Sequence, residues 1–95
     1  MTTITGHFAT PRASGYLQQL CKHWSHKLDV ELDGSTGIVR FPDAVATMVA
    51  EGDALVVTVE AADEGTVERM KGVVAKHLDR FAFREAPLPF DWSKG

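Results

Sequence analysis

The sequence holds a single cysteine, Cys21, so no internal disulfide can form, stability has to come from packing, and the chain suits a reducing compartment, the cytoplasm. No stretch approaches the ~18 consecutive apolar residues of a spanning helix, and Met1 to Thr10 has no basic segment followed by an apolar run. Neither membrane insertion nor export is expected. Positive charge is scarce: 10 Lys and Arg against 13 Asp and Glu leave a net charge of −3. That balance argues against a general phosphate-binding surface, and so against nucleic acid as a partner. Repeats, low-complexity runs and a dividing linker are also lacking. Residues 1–95 are therefore expected to form a single domain, with 1–2 and 93–95 as flexible ends. Nucleophile elbow, phosphate loop, nucleotide fingerprint and metalloprotease motif are all missing. The carboxylates are scattered over positions that read as exposed, so no general acid and base pair can be named.

What is present is an ordinary globular composition, 44% hydrophobic and 24% charged, on a length that supports one core. Thr3 to Ala9, with Ile4 and Phe8 among Thr, Gly and His, reads as a short strand, placed at a sheet edge by Gly6. Thr10-Pro11 is a helix-start signal that predicts a helix from Pro11 to about His26. At 100° per residue, Leu17, Leu20, Cys21, Trp24 and Leu28 share one inner stripe with Tyr16 at its margin. Arg12, Gln19 and His23 form a polar shoulder beside Tyr16.

The pattern then turns to alternation. Leu28 to Asp33 and Ile38 to Phe41 read as a hairpin around Asp33–Gly37, and Ala44 to Ala50 and Ala54 to Ala61 as a second around Glu51-Gly52-Asp53. The last of these strands reads as central. Asp63 is a good N-cap for a helix from about Glu64 to Phe81, whose inner stripe is Val67, Met70, Val74, Leu78 and Phe81, with Val73 and His77 at its edge. From Phe83 onward the prolines end the helix, while Phe90 and Trp92 suggest a segment that docks. The predicted order is β-α-β-β-β-β-α, an α+β fold with about five antiparallel strands and two helices on one face, as in TBP-like and helix-grip folds.

The run Cys21-Lys22-His23-Trp24-Ser25-His26 invites a metal reading, because thiolate and imidazole are zinc's preferred ligands. Helical geometry takes it apart. Residues two apart point to opposite sides, so Cys21 and His23 cannot share an ion, and His23 with His26 lack further ligands at a recognised spacing. No metal and no cofactor are expected. His77 borders the inner stripe of the second helix and could approach His23, which would put two titratable rings on one small cavity. Arg80 and Arg84 near the end of the second helix, with Lys22 and Lys27 near the end of the first, complement the helix dipoles or, where the ends converge, cradle an anion.

Tyr16-Leu17, Leu20-Cys21-Lys22-His23-Trp24, His77-Leu78, Arg80-Phe81, Arg84-Glu85 and Trp92 together resemble the bacterial family known as domain of unknown function 2218, over nearly the whole chain. The resemblance implies a small bacterial protein without an established activity. Similar domains occur joined to siderophore-interacting flavin reductases, which implies a setting in iron or siderophore metabolism. It also draws attention to Tyr16, His23, His77 and Arg80 as ligand-binding positions. The expected function is non-enzymatic binding of a small molecule or protein partner in a helix–sheet cleft walled by Trp24, Met70 and Phe81. The alternatives are an enzyme with a His general base in that cleft and a homodimerisation module, which leaves the assembly open between monomer and homodimer.

Overall fold

The computed structural model describes residues 2–81 and 91–94. The elements follow in the order β1 (Thr2–Ala9), α1 (Ala13–Trp24), β2 (Asp29–Asp33), β3 (Thr36–Phe41), β4 (Ala44–Glu51), β5 (Ala54–Ala61), α2 (Glu64–Phe81) and β6 (Asp91–Lys94). The strands make one antiparallel sheet in the order β2-β3-β4-β5-β1-β6. Both helices lie on one face, as the alternation of the strands requires. Ile4, Phe8, Val39, Ala46, Met48, Leu55, Val57 and Val59 point under the helices and are buried, whereas their sequence neighbours on the other face stay half-exposed or exposed.

The expected β-α-β-β-β-β-α order is therefore present, with one strand more. β6 adds to the outside of β1, pairing Gly6 with Trp92 and Thr5 with Ser93. This moves β1 from the edge, where Gly6 had suggested it, to the interior of the sheet. Gly6 has a different use: a Cβ there would stand 2.6 Å from Cε3 of Trp92, so the bare backbone gives the indole its seat. Thr2, Ser93 and Lys94, expected among the free ends, are in ladder register with Ala61, Thr5 and Ile4. A four-residue strand closing a sheet edge left no alternating pattern long enough to recognise. Residues 83–90, with Pro87, Pro89 and Phe90, lie outside the described residues.

α1 starts two residues later than Thr10-Pro11 predicts. Thr10 does not cap the helix in the usual way. Its buried Oγ1 accepts from the Arg12 N–H at 3.1 Å, and its own N–H donates to Asp53 O at 2.8 Å, tying the helix entry to the β4–β5 turn. α2 is capped as expected, since Asp63 Oδ1 accepts from Thr66 N–H at 2.7 Å and this bond, first among its causes, holds the carboxyl below its usual range.

The β2–β3 turn is tighter than predicted. Gly34, at φ +59°, supplies the left-handed residue, and Thr36 and Gly37 already belong to the ladder opposite Asp33 and Leu32. Gly37 sits where α1 crosses β3: a Cβ on it would be 2.5 Å from Cys21 Sγ and 2.9 Å from Leu17 Cδ1. Across the sheet the row Gly37, Met48, Val57, Gly6, Trp92 sets two bare glycines among large side chains. The helix enters over the first glycine and the indole over the second. Neither helix is long and apolar enough to cross a membrane.

Candidate functional site

The C-terminal end of α1 passes over the β3 end of the sheet and beside the middle of α2. No glycine closes the helix. Instead the chain folds back on itself, with Ser25 N–H donating to Cys21 O at 2.9 Å, and Lys27 and Leu28 N–H both donating to Trp24 O, at 3.1 and 2.8 Å. Ser25 Oγ donates to Lys22 O at 2.8 Å. The last carbonyls of the helix are thereby satisfied within the turn. That turn carries His26 and Lys27 to the rim of a cleft instead of leaving them on an extended helix.

The cleft has a volume of about 520 Å³, inside the range of ~300–1,000 Å³ typical of small-ligand sites. Its walls are mostly carbon: Trp24 from α1, Leu28 from the turn, Phe41 from the end of β3 and Val73 from α2. The polar groups His23, His26, Lys27 and His77 complete the lining. No carboxylate stands among the described lining residues.

Two helices bring the imidazoles together. The ring centres of His23 and His77 are 5.2 Å apart at 54°. His77 also lies 5.3 Å from the Trp24 ring, which meets Phe41 edge-on at 5.4 Å and 77°. One imidazole is locked. His77 Nδ1 is 2.7 Å from Val73 O, one turn back on its own helix. A carbonyl oxygen only accepts, so Nδ1 carries a proton and, in the neutral ring, Nε2 is left as the acceptor.

His23 is held below its ordinary value of 6.5, first by loss of solvation and then by the charges of His77, Arg80, His26 and Lys27. These four described charges are all positive.

The predicted site residues divide accordingly. His23 and His77 meet. Arg80 is exposed and acts on His23 through its charge without lining the cleft. Tyr16 lies elsewhere: it is only 6% exposed and stacks on Phe8 of β1 at 6.4 Å. It shares an angular position with His23, but seven residues place it about 10 Å back along the axis, over a different part of the sheet. Of the expected walls, Trp24 is present and Met70 is in the core; the side chain of Phe81 lies outside the described residues, as does Arg84.

The contributions of Phe41, Leu28 and Val73 escaped sequence reading. Nothing local marks Phe41 as more than a strand-end hydrophobe. Val73 stood at the edge of its helical stripe beside His77, which was the available sign. Cys21, by contrast, is buried beneath α1, and burial pushes its thiol up, so it behaves as a small core hydrophobe. No group of three or more His, Cys, Asp and Glu side chains suited to a metal occurs among the described residues.

An antiparallel sheet carrying two helices on one face, with an apolar, His-rimmed cleft where α1 ends, defines an α+β domain with a helix–sheet cleft. More specifically, the chain belongs to the DUF2218 family of uncharacterized proteins conserved in bacteria, whose model matches residues 5–93. Among solved structures it is similar to the NMR structure of PA4090 from Pseudomonas aeruginosa, with a TM-score of 0.84 and 35% identity over 98% of this chain and 96% of that one. No curated protein matches.

Proposed function

We propose that the domain binds a small molecule in the cleft between the end of α1, the middle of α2 and the β3 end of the sheet. The observation that carries this reading is a concave volume of about 520 Å³ whose carbon walls converge on a pair of imidazoles 5.2 Å apart. Apolar walls supply burial, and a few fixed polar groups supply orientation. His23 and His77 are the binding groups, with Arg80 contributing at long range. Catalysis by a histidine base is the weaker reading, because the described lining residues include no serine, threonine, cysteine or carboxylate to act as a partner. The family resemblance extends this proposal to iron or siderophore handling, and the buried free thiol of Cys21 fits a reducing cytoplasm.

Thermal-shift screening of iron chelates, flavins and small anions tests it. A ligand at ten times its Kd stabilises the folded state by about 1.4 kcal/mol, which raises the midpoint of a domain this size by about 6–11 °C. His23→Gln and His77→Gln should fold normally and lose that shift. A ligand whose shift survives both substitutions binds elsewhere and removes the cleft from consideration.

A further inference from the structure

The cleft joins two properties that seldom favour the same ligand atom. Its interior is carbon, which repels a bare ion, while the groups on and around it are cations or can become cations. From α1 comes His23; from the turn come His26 and Lys27; from α2 come His77 and, just outside, Arg80. β3 contributes Phe41, which carries no charge. Arg40, next to it in sequence, is held by Glu31 and Asp29 of β2. Those acids are thus engaged with a cation of their own, and among the described residues the charges that lower His23 come from His77, Arg80, His26 and Lys27.

A metal cation is disfavoured in such a field, despite the paired imidazoles. A neutral apolar molecule gains from the walls and leaves the rim unanswered. A small inorganic anion answers the rim and leaves about 520 Å³ of carbon-walled space unfilled. The occupant that satisfies both has an apolar body for Trp24, Leu28, Phe41 and Val73 and one acidic group at the imidazole end.

Resting on the proposed binding function, we infer that the ligand of this cleft is an amphipathic anion, an apolar ring or chain with one carboxylate or comparable acid, whose charge is received by His23 and His77 and by the neighbouring Lys27 and Arg80. His77 already has its Nδ1–H committed to Val73 O, so in its neutral form it offers only an acceptor. Receiving an anion at His77 therefore requires a proton on Nε2. Binding is thus accompanied by proton uptake, and affinity rises as pH falls.

The test uses a matched pair of probes, naphthalene-2-carboxylate and its neutral isostere naphthalene-2-carboxamide. Binding is measured by calorimetry at about pH 6 and about pH 8, either side of the histidine range, with amide and indole NMR shifts reporting the site. The carboxylate is expected to bind about ten-fold tighter than the amide at the lower pH, the discrimination of one charge-assisted hydrogen bond. That ratio should shrink at the higher pH, and heats measured in two buffers of different ionisation enthalpy should show net proton uptake.

Lys27→Glu, an exposed change in the turn, should weaken the carboxylate and leave the amide unaffected. His23→Gln with His77→Gln should remove the pH dependence of the ratio. Equal affinity for the two probes at both pH values, with shifts at Trp24, overturns the anion assignment while leaving a binding cleft in place. Binding of neither probe at Trp24, Val73 and His77 removes the cleft itself and the inference with it.

Discussion

Gly37→Ala isolates the contact that holds α1 on the sheet. The added Cβ would stand 2.5 Å from Cys21 Sγ and 2.9 Å from Leu17 Cδ1, and neither neighbour has room to retreat because both are buried, Leu17 completely. Relief has to come from the helix lifting off β3. Overpacking of this kind costs about 1–3 kcal/mol; a value near 2 lowers the thermal midpoint by about 8–16 °C in a domain of this size.

The displacement also travels. Cys21 is one turn before Trp24 and half a turn before His23, so the end of α1 moves away from Phe41 and His77. The cleft then loses its shape along with stability. Thermal and urea unfolding measure the first effect, and Trp24 ring shifts the second. Cys21→Ala in the same background removes the nearer obstacle and lets the new methyl occupy its place. Relief is partial, because Leu17 remains. The double-mutant cycle should therefore show favourable coupling of about 1 kcal/mol, beyond the ~0.3–0.5 kcal/mol scatter of independent sites. A Gly37→Ala protein as stable as the parent, or additive effects in the cycle, would refute the close-approach reasoning.

Other consequences are simpler to test. Gly6→Ala should displace the Trp92 ring and loosen β6, red-shifting indole fluorescence and costing about 1–3 kcal/mol, with the shift assigned by comparison with Trp92→Phe. Asp63→Ala removes the acceptor for Thr66 N–H and should lower the midpoint. Because the carboxyl is held below its usual range, this stabilisation is present above the unfolded carboxylate value, fades as pH falls through the lower folded one, and disappears in the variant. His23 works in the opposite chemical sense. Its folded value lies below 6.5, so on acidification the unfolded chain takes up the proton first and stability declines between neutral pH and about pH 5. His23→Gln should flatten that part of the profile, and an unchanged slope would show that the cationic cluster exerts no such effect.

Much of the fold could be read in advance because its signals are local and repeated. The period-2 alternation of β4 and β5, the glycines at the two hairpin turns and the Asp63 cap each specify their element with no knowledge of partners. Where reading failed, a distant partner had taken over a local signal. Thr10 looks like a cap until Asp53 O claims its N–H, and Gly6 looks like an edge residue until Trp92 covers it. Tyr16 and His23 share a helical face, yet one lies over Phe8 and the other beside His77. Angular position is visible in a sequence; distance along an element, and what lies opposite, are not.

The sequence by itself determined an α+β fold with a continuous carbon core, that Cys21 turns inward while His23 turns away, and that two helix ends carry an excess of positive charge. Those are consequences of periodicity and composition, which each residue expresses within its own element. Only the tertiary structure decided that the end of α1 meets the middle of α2 beside Phe41, that His77 closes on His23 at 5.2 Å, and that the described residues walling their shared space are mostly carbon and include no carboxylate. The physical reason is that a cleft is a property of the surfaces between elements. Its contents depend on register and crossing geometry, which here rest on two absent side chains, those of Gly37 and Gly6.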